Sequence, residues 1–233
     1  MDTETFVFGI IGVVAVAVVL TIVVILGRKR TQAVTLVARE LGFSFQGRKW
    51  TDPAQSVDFK TALFRRGNAR AFQNIMTGSS SGLQTSLFDY SFNEGTAGSS
   101  ASYQQSIGAF SNDGLTLPEF ALAPMEIAQK LDGALGNKGI RFDTNPEFSK
   151  RYRLESPDEA AARELFTPAL ISYLESLDPK KKWRLEGTGQ TVTVYHFRKR
   201  VKPAELKSFL DETSAIAVSF FTLAGTGTPA AQS

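Results

Sequence analysis

The stretch Leu83-Gln84-Thr85-Ser86-Leu87-Phe88-Asp89-Tyr90-Ser91-Phe92 lies between two turn clusters and holds one acid, Asp89, in its apolar part. On an extended chain successive side chains point to opposite faces. Leu83, Thr85, Leu87 and Asp89 therefore share one face, and Phe88, Tyr90 and Phe92 share the other. Either both faces of this strand are covered, or Asp89 sits on a partly buried face. In that setting its carboxylate needs an arginine or several hydrogen bonds, so Asp89 is a candidate buried ion pair, with Arg70, Arg141 or Arg151 as partner.

Outward from this strand, turn clusters at Arg65-Arg66-Gly67-Asn68, Thr77 to Gly82, Asn93 to Ser102 and Asn112-Asp113-Gly114 punctuate a stretch rich in Phe, Ser and Thr. They cut it into five strand candidates, 58–64, 70–77, 83–92, 102–110 and 115–122, which short turns would join as an antiparallel meander. The second half changes period. Pro124 stands at a helix-starting position, followed by Met125, Ala128, Leu131 and Leu135 at helical spacing up to Gly136. A short strand is expected over 140–142 and a turn at Thr144-Asn145-Pro146. Ser156-Pro157-Asp158-Glu159 reads as a capping box with proline at the first helical position. Thr167-Pro168 breaks that helix and opens another bearing Leu170, Ile171, Leu174 and Leu177. Two strands, 183–187 and 191–198, flank the turn Gly187-Thr188-Gly189-Gln190, and a long helix over 203–223 carries Leu206, Phe209, Leu210, Ile216 and Phe220 on one face. Strands first, then helices around a hairpin, predict an α+β fold: a mainly antiparallel β-sheet with helices packed on one face.

The N-terminal side is of another kind. Phe6 to Leu26 is a 21-residue run without charge or proline, and 16 of its residues are Val, Ile, Leu or Phe. As a helix it would be about 31 Å long, against roughly 30 Å of bilayer hydrocarbon. The leader carries Asp2 and Glu4 and no base, and Arg28, Lys29 and Arg30 follow the run, which favours a retained anchor over a cleaved signal peptide. The positive-inside rule puts those three membrane-orienting bases, and everything after them, in the cytoplasm. The expected division is a short extracytoplasmic N-terminus at 1–5, a transmembrane helix at 6–26 and a juxtamembrane amphipathic helix at 28–42, with Gly42 as its cap. A cytosolic domain follows at 43–223, divisible into a β-rich half 43–124 and an α/β half 125–223, and then a disordered tail at 224–233. The helix at 28–42 either continues the membrane helix or breaks from it at Gly27.

Composition excludes much chemistry. Among 233 residues there is no cysteine and a single histidine, His196, so thiol catalysis, iron–sulfur clusters and multi-histidine metal sites are ruled out. No metal and no cofactor are expected. Gly78-Ser79-Ser80-Ser81-Gly82 lacks the Lys-Ser/Thr of a phosphate loop and precedes a strand, so it reads as a hairpin turn. Without a serine elbow, His196 reads as a rim histidine. Beyond residue 27 the chain holds 26 bases against 21 acids, too small an excess for a nucleic-acid partner. Two basic clusters, Lys180-Lys181-Lys182 and Arg198-Lys199-Arg200, are candidate contacts for anionic lipid head groups.

At Phe88-Asp89-Tyr90, Leu117-Pro118-Glu119-Phe120 and Asn145-Pro146-Glu147-Phe148-Ser149 with Tyr152, the chain resembles a bacterial family of single-span membrane-anchored proteins with one cytosolic α+β domain of unknown function. The resemblance covers most of residues 31–222 and implies an inner-membrane location. It brings no activity and no catalytic residue. The expectation is thus a non-catalytic cytosolic binding or scaffolding module anchored in the inner (plasma) membrane, with the lipid bilayer and another membrane protein as partners. Two alternatives are a membrane-tethered hydrolase using Asp89, Glu119 or Asp143, and a subunit of a larger membrane complex.

Overall fold

The structure is a computed structural model, and it describes residues 3–50, 61–96, 99–114, 116–128 and 139–224. Helix α1 (Thr3–Glu40) runs through Gly27 without a break, so the apolar run and the amphipathic segment after it are one rod of 38 residues, about 57 Å long. It is long and apolar enough to cross a membrane, and none of its apolar window is buried among the described residues. It stops at Gly42, whose φ of +69° is one that side chains disfavour. There Gly42 N donates to Arg39 O and Phe43 N to Ala38 O, the paired bonds of a glycine-capped helix end.

Eight strands form one sheet: β1 (Ser44–Trp50), β2 (Asn68–Ser80), β3 (Leu83–Thr96), β4 (Ser99–Ser111), β5 (Leu117–Pro124), β6 (Tyr152–Glu155), β7 (Trp183–Gly189) and β8 (Thr191–His196). Their order is β1-β2-β3-β4-β8-β7-β5-β6, and every pairing is antiparallel. The β4–β8 pairing joins the two halves of the chain in a single sheet. The expected α+β class, with its antiparallel sheet, is what forms.

Strand alternation sorts the side chains onto two faces. Met76, Leu87, Phe110, Leu122, Leu185, Val192 and Val194 meet Val34 and Ala38 of α1, together with α6 (Pro168–Ser176) and α7 (Leu206–Thr222). Gly187 leaves room on this face for the Phe120 ring, which stacks on Phe220 at 5.2 Å. On the other face Phe72, Ile75, Phe88, Tyr90, Phe92, Ile107 and Tyr195 pack against a single helical turn, α2 (Ala62–Arg65).

That turn replaces part of the strand expected over 58–64, of which 58–60 lie outside the described residues. Leu63 and Phe64 are adjacent and enter the same core, which a helical turn permits and an extended strand forbids. Strand β1 is new, and its bulge between Phe45 and Gly47 shifts the register with β2. Pro124 closes β5 and stands directly before a helix, as expected. That helix is α3, described over Met125–Ala128, and Leu131, Leu135 and Gly136 lie outside the described residues. The strand expected over 140–142 is an isolated bridge from Ile140 to Leu154, and the turn at 144–146 leads into α4 (Pro146–Arg151). α5 (Glu159–Leu165) is capped by Asp158, which accepts from Ala161 N, and not by Ser156. The Ser156 hydroxyl donates to Glu119 O and accepts from Asp158 N. Thr167 caps α6 as its sequence suggests. Strand β8 ends at His196 because Arg198 turns to a φ of +56°, and a short 3-10 turn, Pro203–Glu205, precedes α7. The tail from residue 225 lies outside the described residues.

Candidate functional site at the foot of the apolar helix

Four elements converge where α1 leaves its apolar stretch. Arg30 lies on α1 four and eight residues before Val34 and Ala38, hence on the face that meets the sheet. β3 contributes Asp89 and β4 contributes Ser106. A register irregularity in β2 gives Asn74 a φ of +53°, a conformation asparagine tolerates better than most residues, and turns its side chain to the same face. Arg30 grips Asp89 with two bonds, Nε to Oδ2 and Nη2 to Oδ1, each 2.7 Å. Asn74 Nδ2 donates to Oδ2 and Ser106 Oγ to Oδ1, both at 2.8 Å. Thr31 Oγ1 in turn donates to Asn74 Oδ1 at 2.9 Å. Each carboxylate oxygen thus accepts two bonds, which fills its lone pairs and leaves none for proton transfer or a metal. The cavity beneath is about 10 Å³, room for one water at most. The arrangement is a clasp between helix and sheet.

A strap of chain lies beside it. Ser106 N donates to Lys199 O at 3.2 Å and Val201 N to Ser106 Oγ at 3.0 Å. This brings Arg200 up to the clasp, where partial burial and the neighbouring Arg30 guanidinium hold its pKa below the ordinary value while Asp89 pulls the other way. Arg28 and Lys29 are exposed, whereas Arg30 turns inward. The partner of Asp89 is therefore Arg30. Of the arginines expected there, Arg70 donates to Phe64 O and Arg151 to the carbonyls of Glu175 and Leu177.

The remaining candidates are dispersed. Lys181 pairs with Glu212 and Lys182 with Glu126, each at 3.0 Å, and Lys180 is exposed. Arg198 pairs with Glu94 at 2.7 Å and lies over the Tyr103 ring, while Lys199 is exposed. Glu119 pairs with Arg65 of α2 and Asp143 is exposed before α4. Glu119 is next to Phe120 in β5 and so points to the α2 side, opposite to Asp89; the three acids of the hydrolase alternative do not share a pocket. His196 stacks on Trp183 with ring centroids 3.9 Å apart. Burial first, then the Lys199 charge, lower its pKa from 6.5 to about 4, against the opposing pull of a backbone hydrogen bond at Lys181. No group of three His, Asp or Glu side chains able to hold a metal occurs among the described residues.

One centre had no counterpart in the sequence reading. On the α2 face Glu186 is fully buried and accepts from Arg184 Nη2 at 3.0 Å, Tyr195 Oη at 2.6 Å and Leu63 N at 2.7 Å. Burial raises the Tyr195 pKa well above its ordinary value. Burial opposes the Arg184 charge, but Tyr195, Glu186 and Glu155 together raise its pKa. The signal for this centre was the alternation of Arg184 and Glu186 with Trp183 and Leu185, which puts both charges on one face of β7.

A helix of membrane-crossing length clasped to an eight-stranded antiparallel sheet with helices places the chain in the α+β class. The chain matches no protein-family model and no curated relative. In fold it is similar to the mycobacterial trehalose monomycolate transport factor A, TtfA, seen in a crystal structure. The TM-score is 0.53 at 12% identity, over 88% of this chain and 98% of that one.

Proposed function

We propose that the protein is a membrane-anchored, non-catalytic binding or scaffolding module, single-pass in the bacterial inner membrane, with its N-terminus outside and its sheet domain in the cytoplasm. The observation that carries this reading is the clasp. A cleaved leader is dispensable to the domain it precedes, whereas here the same unbroken helix supplies Arg30, Val34 and Ala38 to the domain interior. The bases after the apolar run favour a cytoplasmic domain. Asp89 is filled by donors, and the acids that could have served hydrolysis are paired or apart, which favours binding over catalysis. The partners are the bilayer and another membrane protein. The likeness in fold to a transport factor supports a role beside a membrane transport system, with the anchored domain as its scaffold.

The absence of cysteine makes topology directly testable. In intact cells a membrane-impermeant maleimide should label the Asp2→Cys variant, and label Ala160→Cys, on the exposed side of α5, only after permeabilisation. The reverse pattern overturns the orientation. A membrane-free chain lacking its first residues by mass overturns the anchor. Photocrosslinking from the domain surface in native membranes should yield an adduct with a transport protein. Adducts with soluble enzymes alone would sink the transport role.

A further inference from the structure

We propose that Arg200, together with Arg28 and Lys29, forms a seat for the phosphate of an anionic membrane lipid at the foot of α1. This deepens the anchored reading above and rests on it. The strap bonds to Ser106 set Arg200 level with Arg30. Arg30 lies four residues beyond Leu26, the end of the uncharged run, which is about 6 Å along the helix axis. The head-group layer on each side of a bilayer is about 5 to 7 Å deep. Arg200 is thereby held at head-group depth, and Arg28 and Lys29 project from the intervening turn into solvent.

The charges at this level do not balance among the described residues. Arg30 and Arg200 share one carboxylate, Asp89, which Arg30 takes with both of its bonds, while Arg28 and Lys29 precede Arg30 on the same turn and Lys199 precedes Arg200 on the strap. Arg200 is exposed and stands beside another guanidinium, a setting that an incoming phosphate relieves by accepting its N–H groups. The second basic cluster is different, because Lys181 and Lys182 already hold Glu212 and Glu126. Charge neutralisation thus separates two stretches that look alike in sequence, and it leaves the one beside the helix open to an anion.

The test is native mass spectrometry of the full chain in detergent, titrated with phosphatidylglycerol or phosphatidylcholine, with thermal unfolding as the folding control. The wild type should retain phosphatidylglycerol about tenfold more tightly than phosphatidylcholine. Arg200→Gln should remove most of that preference, Arg28→Gln with Lys29→Gln should reduce it severalfold, and Arg200→Lys should restore part of it. Replacing Lys180, Lys181 and Lys182 together by Gln should leave it unchanged. The proposal is overturned if the wild type shows no preference, if the Lys180 to Lys182 variant loses as much as Arg200→Gln, or if millimolar inorganic phosphate displaces the lipid and binds equally well. Detergent measurements do not depend on orientation, so a lost preference with maleimide labelling as expected removes the lipid seat alone. Labelling in the reverse pattern removes the cytoplasmic orientation alone.

Discussion

Two buried arginine–carboxylate centres lie on opposite faces of one sheet and are built differently. On the α1 face Arg30 and Asp89 are 59 residues apart, and the bond joins separate elements through a carboxylate that also holds β2 and β4. On the α2 face Arg184 and Glu186 are neighbours on one strand, so their bond adds nothing to tertiary structure. The connection there runs through Tyr195 Oη and Leu63 N, two neutral donors. The first centre spends its charge pair on assembly. The second spends it on making a buried carboxylate tolerable, and then uses the carboxylate to pin α2.

Removing one member of a buried pair costs about 3 to 5 kcal/mol. The upper end is expected for Glu186→Ala, which strands Arg184 and leaves Tyr195 and Leu63 N without their acceptor, as a fall of about 5 kcal/mol in denaturant unfolding of the detergent-solubilised chain. Arg184→Leu with Glu186→Leu should bring little of this back, because the two neutral donors stay orphaned. Arg30→Met should cost about 3 kcal/mol, nearer the lower end because the clasp lies at the rim of the domain. Here the double variant with Asp89→Leu should recover about half the loss. Equal recovery on both faces would abolish the distinction.

The faces should also part in their response to acid. His196 lies on the α1 face, since it alternates with Tyr195 and stacks on Trp183 beside Phe209. Its pKa falls from 6.5 to about 4 on folding, so the unfolded chain binds more protons between those values. The stability contributed by the neutral His196 is complete above pH 6.5, is lost as pH falls through that window, and is fully lost below about 4. Allowing for its partial contact with solvent, the loss is about 2 kcal/mol. Unfolding midpoints between pH 7 and pH 4 should show it, and His196→Phe should flatten that part of the profile. The shifted groups on the α2 face, Arg184, Tyr195 and Tyr90, are all raised and contribute nothing in this range.

Strands 83–92 and 102–110 were legible because turn clusters bound them on both sides, and Thr167-Pro168 marked its helix start because cap and proline act locally. β1 was hidden by Gly47, whose bulge interrupts the alternation. α2 was hidden because two adjacent buried residues suit a turn as well as a strand. Asp89 could be read as a buried acid from its neighbours on β3. Its partner could not, because three consecutive bases after an apolar run look equivalent in composition. The discriminating signal was periodic: Arg30, Val34 and Ala38 fall at intervals of four on one helix face, while Arg28 and Lys29 do not. Which cluster stays uncompensated depends on Glu126, Glu212 and Glu94, acids brought close only by the fold.

The unbroken passage of α1 through Gly27 has a mechanical side. With no hinge between the apolar stretch and the clasp, the helix acts as a lever whose short arm is bolted to β2, β3 and β4. Strand β6 lies six strands from β2, about 29 Å at ordinary strand spacing. A change of about 10° in the tilt of the rod, within the range seen for membrane helices, would swing that far edge by on the order of 5 Å. Whatever sets the inclination of the helix also sets the attitude of the whole sheet.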